Sequence, residues 1–387
     1  MTQNKRHVFV WKLLRVVLGP WLRRKFAFTV QEVDVPGPYL VLSNHNTDWD
    51  PFLLSLCFPQ HMYFVASEHI FRWRFLSPII RWLTDPIARQ KGRTAADTAM
   101  TTLRRLRRGS NVCIFAEGNR SWDGVTGDIF PATGKLARSC GKTVITFRLE
   151  GGYLSSPRWA HSSLRRGRMR GKLIGVYPPE QLRAMTPDEV SELIARDLHE
   201  DIWVSQRTEP VAYRGSRPAE HLETLLCLCP SCGQIGTLHS DDASFRCSCG
   251  LETHFSEYGF FEGGELPFET VRDWVLWQDA QLCAKLDNAE EDTPLLKDTA
   301  IRLTEILPGH KSLSFGSGTL LLFPDRLEWN DRVFPFSQIS GVSLHANKNL
   351  DLGFGTQSFE FKSTDVCCLR KYMTLITYAA QAARAAK

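Results

Sequence analysis

The feature that most constrains the fold is a short apolar run, Tyr39–Leu42, which leads through a polar segment into a second apolar run, Phe52–Cys57. The first run predicts a buried strand and the second the start of a helix, so the segment between them is a strand-to-helix loop. This loop carries His45 and, five positions later, Asp50, followed directly by Pro51. Loops held by a rigid scaffold are where reactive side chains concentrate.

A histidine close to a carboxylate suits proton abstraction from an alcohol. Histidine titrates near neutral pH, and an acceptor on one ring nitrogen fixes the tautomer and stabilises the cation formed when the other nitrogen takes a proton. Asp50 is a candidate for that acceptor. It is also placed to cap the following helix, with Pro51 at the favoured first helical position. One carboxylate has two oxygens, so both roles stay open.

A second buried-strand run, Asn111–Phe115, leads into Ala116-Glu117-Gly118-Asn119-Arg120-Ser121. Together the two blocks resemble the glycerolipid acyltransferases of the PlsC type, also called the lysophosphatidic acid acyltransferase family. The first motif of that family, H-x4-D, is matched by His45 and Asp50. Its third motif, FPEGTRS, is matched by residues 115–121, with Ala116 in place of the proline and Asn119 in place of the threonine.

The resemblance covers about residues 1–210 and implies an α/β fold with a mixed sheet flanked by helices. It implies that His45 acts as general base while Asp50 orients it. The site for a phosphorylated acceptor would be formed by Glu117, Gly118, Arg120 and Ser121, together with Arg89, which matches the arginine that ends the family's second motif. Glu117 could orient Arg120 or accept from the acceptor hydroxyl, and a plain structural Glu–Arg ion pair is the alternative.

The strand predicted over Val144–Glu150 occupies the place of the family's fourth motif, with Thr146 where proline is usual. Arg148 and Glu150 are additions to that pattern. They could recognise a different head group or pair with one another.

The amino-terminal segment comes closest to the apolar length of a membrane-spanning helix. Lys12 and Arg15 interrupt it at helical spacing, so it does not reach the ~18 apolar residues of a membrane-spanning helix. Apolar and aromatic residues on one side and basic residues on the other predict a helix over residues 1–25 in the plane of a membrane surface. Packing as an ordinary core helix is the alternative. We expect a peripheral protein on the cytoplasmic face of a membrane.

Arginines cluster in two places, and the net charge is +5. Such clusters favour anionic partners such as phospholipids, or form solvated faces. The two clusters are Arg104, Arg105, Arg107 and Arg108, and Arg165, Arg166, Arg168 and Arg170.

Five of the eleven cysteines lie between Cys227 and Cys249, and no cleavable signal peptide is visible. This favours a metal site in a reducing cytoplasm over a disulfide framework. Two close pairs of thiolates at this separation satisfy tetrahedral zinc, and the pattern resembles a zinc ribbon. We expect a closed, structural site held by Cys229, Cys232, Cys247 and Cys249. Because one residue separates the second pair, Cys227, His239 and His254 are alternative ligands.

Beyond this module, Pro267–Leu286 predicts a helix, and short runs of period two from Thr319 onward predict antiparallel strands before a helix over Asp365–Ala386. This topology resembles a PH- or GRAM-type β domain. The predicted organisation is an interfacial helix (1–25), an acyltransferase domain (26–215), a zinc-ribbon-like module (222–262), a helical connector (266–300) and a PH/GRAM-like β domain (301–387).

The expected function is transfer of an acyl chain from acyl-CoA or acyl-carrier protein to the hydroxyl of a lysophospholipid, foremost 1-acylglycerol 3-phosphate, in phospholipid biosynthesis or remodelling. Cys113 is not expected to be a nucleophile, because a thiol within an apolar strand is usually inert. The alternative is a membrane- or nucleic-acid-associated adaptor built on an inactive acyltransferase scaffold. Arg246 is the only Lys or Arg between Cys229 and Cys249, so we expect no nucleic-acid partner.

Overall fold

The computed structural model describes residues 4–67, 78, 82–89, 95–160, 164–307, 311–345 and 348–385. The chain divides into two compact units. The first is Met1–Arg158 with Leu164–Gly215, and the second is Trp159–Ser163 with Ser216–Lys387.

The first unit is built on a mixed sheet. Its described strands are β1 (Phe28–Thr29), β2 (Tyr39–Ser43), β3 (Met62–Ser67), β4 (Ile87–Arg89), β5 (Asn111–Phe115), β6 (Thr143–Glu150) and β7 (Met169–Tyr177). They lie in the order β1-β7-β6-β2-β5-β3-β4, and every pairing is parallel except the antiparallel pairing of β6 with β7.

Helices cover both faces of this sheet. The described helices are α1 (Lys5–Lys25), α2 (Asp50–Cys57), α3 (Ala95–Arg107), α4 (Pro131–Ser139), α5 (Gly152–Ser155), α6 (Pro179–Ala184), α7 (Pro187–Leu198) and α8 (Ile202–Thr208). Side chains alternate across a strand, so Val41 faces a core cluster with residues of α1 and α2, whereas Leu40 faces a cluster with residues of α3, α4 and α7. The predicted arrangement of a mixed sheet flanked by helices is confirmed.

Two expectations for this unit are corrected. The segment Phe26–Val35 predicts a strand, but the strand is limited to Phe28–Thr29, because β1 is an edge strand that pairs with β7 at those two residues alone. The cap residue Thr186 with Pro187 and Glu189 predicts one helix to about Ser205, but the structure has two helices, because the backbone at His199 is extended and Asp201 caps a new helix. The segment Phe71–Trp82, rich in aromatic residues and arginine, also predicts a helix, and it falls almost entirely outside the described residues.

Helix α1 packs through one face and exposes the other. Trp11 and Leu22 belong to the core of the first unit. The exposed side carries a row of large apolar residues at helical spacing, namely Phe9, Leu13, Val16, Val17 and Trp21. None of the described helices is long and apolar enough to cross a membrane.

The second unit holds two further sheets. A small one has β8 (Leu238–Asp241), β9 (Ser244–Cys247), β10 (Glu252–Phe255) and β11 (Phe261–Glu262), and helix α9 (Val271–Asp287) follows. The larger one has β12 (Leu296–Leu307), β13 (Lys311–Leu322), β14 (Arg326–Trp329), β15 (Arg332–Pro335), β16 (Ile339–His345), β17 (Asn349–Phe354) and β18 (Gln357–Ser363), followed by α10 (Arg370–Ala385).

The β-rich carboxyl-terminal region is confirmed, but its start was misplaced. Strand β12 begins at Leu296, within the segment assigned to the connector, and β13 begins at Lys311 rather than Thr319. The first half of β13 could not be predicted from the sequence, because Lys311–Ser314 are exposed. The strand has no buried face there and therefore no apolar period of two.

Candidate active site

The two sequence blocks meet at one edge of the first sheet. Strands β2 and β5 are parallel neighbours, and Ser43 lies opposite Phe115. The two strands therefore end next to each other, and the loops that follow their carboxyl ends lie side by side. His45 and Glu117 each follow two residues after the paired positions, so parallel pairing joins residues 72 apart in the chain.

The imidazole of His45 is held by a carboxylate and a ring. Its Nδ1 lies 2.8 Å from Oδ2 of Asp50, and its ring stacks on Phe115 with centroids 4.3 Å apart. The His45 side chain is 19% exposed, whereas that of Asp50 is fully buried. With the Nδ1 proton donated to Asp50, Nε2 carries the lone pair that can accept a proton from a substrate.

Asp50 organises the loop instead of capping the helix that it begins. Its Oδ2 accepts hydrogen bonds from the backbone N–H groups of Asn46 (2.6 Å) and Thr47 (2.9 Å), and its Oδ1 accepts from Thr47 Oγ1 at 2.7 Å. All these donors precede Asp50 in the chain. The cap interpretation is therefore not what the structure shows, because the carboxylate faces back toward His45.

Glu117 fixes the same loop from the neighbouring strand. Its Oε1 accepts from the backbone N–H of His45 at 2.7 Å, and its Oε2 accepts from Gly127 N at 2.7 Å. Burial raises the pKa of Glu117 to about 8, against the opposing effect of those two N–H donors. The alternative of a Glu117–Arg120 ion pair is absent among the contacts of the described residues, and both carboxylate oxygens accept from backbone N–H groups instead.

The guanidinium of Arg120 binds protein acceptors on three sides. Its Nε donates to Asn46 O at 2.9 Å, Nη1 to Asp48 Oδ2 at 2.9 Å, and Nη2 to Ser156 O at 2.5 Å. The Arg120 side chain is largely buried, while Asp48 is exposed. Arg120 thus ties the His45 loop to the end of α5.

Gly118 and Ser121 complete the turn after β5. Gly118 has a φ of +69°, a left-handed conformation that only glycine adopts without strain. Ser121 donates its backbone N–H to His45 O at 2.9 Å, and its buried hydroxyl donates to Val125 O at 2.7 Å. Arg89 ends β4, and its side chain lies outside the described part of the structure.

Sequence reasoning missed a buried carboxylate beneath the histidine loop. Oε2 of Glu200 accepts from Asn46 Nδ2 at 2.6 Å and from Asn44 Nδ2 at 3.3 Å, and Oε1 accepts from Gly151 N at 2.6 Å. Burial raises the pKa of Glu200 to about 8. The two asparagines flank His45, so Glu200 holds both sides of the His45 loop from a position about 150 residues away. No local pattern in the sequence indicated this contact.

The additions in β6 pair with one another. Arg148 Nε lies 3.1 Å from Glu150 Oε1, and Lys172 Nζ lies 2.8 Å from Glu150 Oε2. Thr146, in the place of the family's usual proline, donates to buried Asp197 at 2.7 Å. Of the two readings left open for Arg148 and Glu150, the structure shows the ion pair.

In the second unit, four thiols converge, two from the turn before β8 and two from the end of β9 and the turn after it. Sγ atoms of Cys229 and Cys249 lie 3.8 Å apart, as do those of Cys232 and Cys247, and all four lie within 4.8 Å of one another. Zn–S bonds of about 2.3 Å in a tetrahedron place the sulfurs about 3.8 Å apart, so the donor set and spacing fit zinc.

The alternative zinc ligands have other surroundings. Cys227 is buried away from this cluster and its N–H donates to Gln278 at 2.7 Å, and His254 Nδ1 bonds with Ser244 Oγ at 3.2 Å.

Buried Cys113 lies within β5, and burial raises the pKa of its thiol well above the ordinary value. This agrees with the expectation that Cys113 is not a nucleophile.

Comparison with known proteins finds a family-model match within the first unit. Residues 26–150 match the protein-family model described as Acyltransferase. These residues hold both sequence blocks and the whole His45–Asp50–Glu117 arrangement, so the match falls on the candidate site. It supports the predicted enzyme class, an acyltransferase like 1-acylglycerol-3-phosphate O-acyltransferases.

Two particular relatives are similar to this chain. The chloroplastic 1-acyl-sn-glycerol-3-phosphate acyltransferase LPAT1 of Arabidopsis thaliana is 28% identical over 142 residues, which cover 35% of this chain and 38% of that protein. The chain thus matches well under half the length of this curated relative. The crystal structure of the 1-acyl-sn-glycerophosphate (LPA) acyltransferase PlsC from Thermotoga maritima superposes with a TM-score of 0.41 at 20% identity, covering 51% of this chain and 83% of that one.

Proposed function

We propose that this protein transfers an acyl chain from acyl-CoA or acyl-carrier protein to the hydroxyl of a lysophospholipid, with 1-acylglycerol 3-phosphate as the foremost acceptor. The observation that carries the proposal is the 2.8 Å contact between His45 Nδ1 and Asp50 Oδ2 inside the segment that matches the acyltransferase model. The name of the curated relative supports the choice of acceptor.

The proposed reaction needs a general base and no covalent acyl-enzyme. Nε2 of His45 takes the proton of the acceptor hydroxyl as its oxygen bonds to the thioester carbonyl carbon. The C–S bond then breaks, and the departing thiolate receives the proton from the imidazolium. Asp50 stabilises that imidazolium, because its buried carboxylate lies against Nδ1.

The residues of the second block position this base. Glu117 binds the backbone N–H of His45, Ser121 binds its carbonyl, and Arg120 binds the carbonyl of Asn46. These contacts fix both peptide groups around the histidine, which keeps the imidazole in one orientation. The roles of Arg120 and Arg89 as phosphate ligands stay predictions.

The exposed side of α1 supports a place on the membrane surface. Its apolar residues lie on one stripe, and Arg23, Arg24 and Lys25 end the helix with positive charge. We place this stripe against an anionic bilayer as a peripheral contact on the cytoplasmic face. Lysophospholipid acceptors reside in such a bilayer, so the contact would bring the enzyme to its substrate.

The cysteine cluster would serve as a structural crosslink. Cys229, Cys232, Cys247 and Cys249 offer four thiolates, which fill the coordination of a structural zinc ion and leave no open position for chemistry. Bound zinc would hold the small sheet of the second unit together. The PH- or GRAM-like character of the larger sheet stays a prediction.

The test is acyl transfer by the purified protein in detergent, with acyl-CoA and acyl-carrier-protein donors and a panel of lysophospholipids. His45→Ala should reduce kcat by ~100-fold or more, the range expected for a lost general base. His199→Ala is the matched control, because His199 is exposed and only its carbonyl makes a described hydrogen bond. Equal activity of both variants would refute the role of His45, and no transfer from folded wild-type protein would favour the adaptor.

A further inference from the structure

Two buried carboxylates hold the His45 loop from opposite sides. Glu117, on the turn after β5, accepts from the backbone N–H of His45 at 2.7 Å. Glu200, between α7 and α8, accepts from the side chain of Asn46 at 2.6 Å. The reaction proposed above gives Glu117 a place in fixing the base and gives Glu200 none.

A continuous series of hydrogen bonds leads from Glu200 to the imidazole. Glu200 Oε2 accepts from the side chain of Asn46, and the backbone N–H of the same asparagine donates to Asp50 Oδ2 at 2.6 Å. That carboxylate oxygen is the one that lies 2.8 Å from His45 Nδ1. Glu200, Asn46 and Asp50 are at most 5% exposed, so water does not compete for these bonds. The position of Asn46 therefore sets the position of the oxygen that orients the base.

Asn44 holds the other side of the histidine to the same carboxylate. Its Oδ1 accepts from Leu149 N at 2.7 Å and its Nδ2 donates to Leu149 O at 2.8 Å, so the backbone of β6 fixes the orientation of this amide. Asn46 Nδ2 donates to the same carbonyl at 3.0 Å. Glu200 Oε2 accepts from both amides, at 3.3 and 2.6 Å. One carboxylate oxygen thus fastens the two residues that flank His45 to one strand.

The backbone of Glu200 is itself anchored. Its N–H donates to Thr126 Oγ1 at 2.8 Å, and its carbonyl accepts from Thr126 N at 2.9 Å. The next residue along the chain, Gly127, donates its N–H to Glu117 at 2.7 Å. Residues 126 and 127 therefore connect the two carboxylates, and both sides of the His45 loop are held by one set of bonds.

A carboxylate suits the place of Glu200 better than a neutral side chain. Three N–H donors converge on it, since Oε1 also accepts from Gly151 N at 2.6 Å. An amide or a hydroxyl would direct a donor of its own at one of them. Burial raises the pKa of Glu200 to about 8 in spite of these donors, so ionising it inside the fold costs free energy that ionising an exposed glutamate does not. Costly buried carboxylates of this kind are concentrated at functional sites.

We propose that Glu200 is a positioning residue for the His45 base and acts through Asn46 on Asp50. The proposal rests on the acyl-transfer function proposed above and adds a residue to its machinery. Glu200 binds the loop and not the imidazole. It holds Asn46, and with it Asp50 Oδ2, in the place where that oxygen meets Nδ1 and leaves Nε2 to accept a proton. Loss of this support lowers the fraction of molecules in which the imidazole has its reactive orientation, which lowers kcat and leaves KM unchanged.

The first experiment compares Glu200→Ala with Asp197→Ala in acyl transfer from acyl-CoA to lysophosphatidate. Asp197 is the matched control, because it is an equally buried carboxylate that binds Thr146 and Tyr177 instead of the His45 loop. Each variant loses a buried hydrogen-bonded carboxylate and is assayed well below its measured unfolding midpoint. We expect Glu200→Ala to lower kcat by ~10- to 100-fold with KM within ~threefold of wild type, and Asp197→Ala to keep the wild-type kcat.

Equal kcat in Glu200→Ala and the wild type would overturn the proposal. Equal losses in Glu200→Ala and Asp197→Ala would overturn it too, because they would leave Glu200 a general role in stability alone. Glu200→Gln keeps the shape of the side chain but meets one of the N–H groups with a donor of its own. We expect its kcat to lie ~3- to 10-fold below wild type at unchanged KM, and a wild-type kcat in this variant would also reject the positioning role.

A double-mutant cycle tests the route through Asn46. Asn46→Ala removes the amide that Glu200 holds and keeps the backbone N–H that binds Asp50. If Glu200 acts through this amide, adding Glu200→Ala to Asn46→Ala should lower kcat no more than ~threefold further. Losses that multiply in the double variant would show that the two side chains act independently and would overturn the proposal.

Nuclear magnetic resonance of the His45 ring keeps this proposal separate from acyl transfer. In full-length protein with 13C-labelled histidine, the Hε1 signal of His45 is assigned by its absence from His45→Ala. The imidazole stacks on Phe115 with centroids 4.3 Å apart, so the ring current of Phe115 shifts this signal. We expect the signal to move or broaden in Glu200→Ala, because the imidazole no longer keeps one orientation, and to stay in place in Asp197→Ala.

The outcomes of the two kinds of measurement are distinguishable. The expected change of the His45 signal without any acyl transfer by the wild type would support the positioning role of Glu200 and reject the enzymatic function. A His45 signal that is the same in wild type, Glu200→Ala and Asp197→Ala would reject the positioning role whether or not transfer occurs.

Discussion

Replacing Asp50 by asparagine tests whether the charge beside His45 matters. The amide oxygen can take the place of Oδ2, where it still accepts from His45 Nδ1 and from the N–H groups of Asn46 and Thr47. The amide nitrogen then replaces Oδ1 and donates to Thr47 Oγ1, whose present bond runs the other way at 2.7 Å. The loop keeps its hydrogen bonds, so Asp50→Asn removes mainly the negative charge.

The cost of that removal follows from the geometry. The nearest atoms of the pair are 2.8 Å apart. Taking the delocalised charges as about 4 Å apart at an effective dielectric constant of about 20 gives ~4 kcal/mol between a carboxylate and an imidazolium. This energy is present only after the histidine has accepted the proton. It therefore lowers the barrier, and its loss should reduce kcat by ~10²–10³-fold.

The assay is steady-state acyl transfer from acyl-CoA to lysophosphatidate, with thermal unfolding measured in parallel. Asp48→Asn makes the same chemical change at an exposed position two residues away, where the carboxylate contacts Arg120. We expect Asp50→Asn to lose activity while its unfolding midpoint changes by a few degrees at most, which corresponds to ~1 kcal/mol. More than a tenth of the wild-type kcat in Asp50→Asn would refute the electrostatic reasoning.

Three further predictions concern the buried carboxylates, the turn after β5 and the cysteine cluster. Because burial raises the pKa of Glu200 to about 8, the folded state binds more protons than the unfolded state between pH about 4.5 and 8, and the free energy of unfolding should fall as pH rises through that window. Glu200→Gln should make this decline shallower by up to ~1.4 kcal/mol per pH unit in urea titrations at pH 5 to 8, whereas exposed Glu192→Gln should not; identical slopes would contradict the burial argument. Gly118→Ala should lower the free energy of unfolding by roughly 1–2 kcal/mol, because φ is +69° there, and an unchanged denaturation midpoint would show that the turn relaxes freely. Purified wild-type protein should contain about one zinc per chain by mass spectrometry, Cys247→Ser should lose it, and chelation should melt the second unit; full zinc in Cys247→Ser would remove that thiol from the ligand set.

The local sequence pattern predicts an element or a motif correctly where all the residues that define it lie close together in the chain. The strand before His45 and the strand before Glu117 are contiguous apolar runs, and each matched motif sits within a few residues of its strand end. The cysteine pairs are equally local, because each lies on its own tight turn, the first before β8 and the second at the end of β9. The leucines and arginines of residues 94–108 recur with helical period and predict a helix there, and α3 matches those bounds to within one residue at each end.

The sequence by itself determined the two blocks around His45 and Glu117 and the pairs of thiols, and its resemblance to a known family implied the sheet with helices on both faces. Tertiary structure alone decided what each buried polar group binds. Parallel pairing of β2 with β5 places the Glu117 carboxylate against the backbone N–H of His45. The break in the helix at His199 places Glu200 against the asparagines that flank His45. The physical reason is that a buried carboxylate must find hydrogen-bond donors wherever the fold places them, and periodicity carries no information about contacts between residues far apart in the chain.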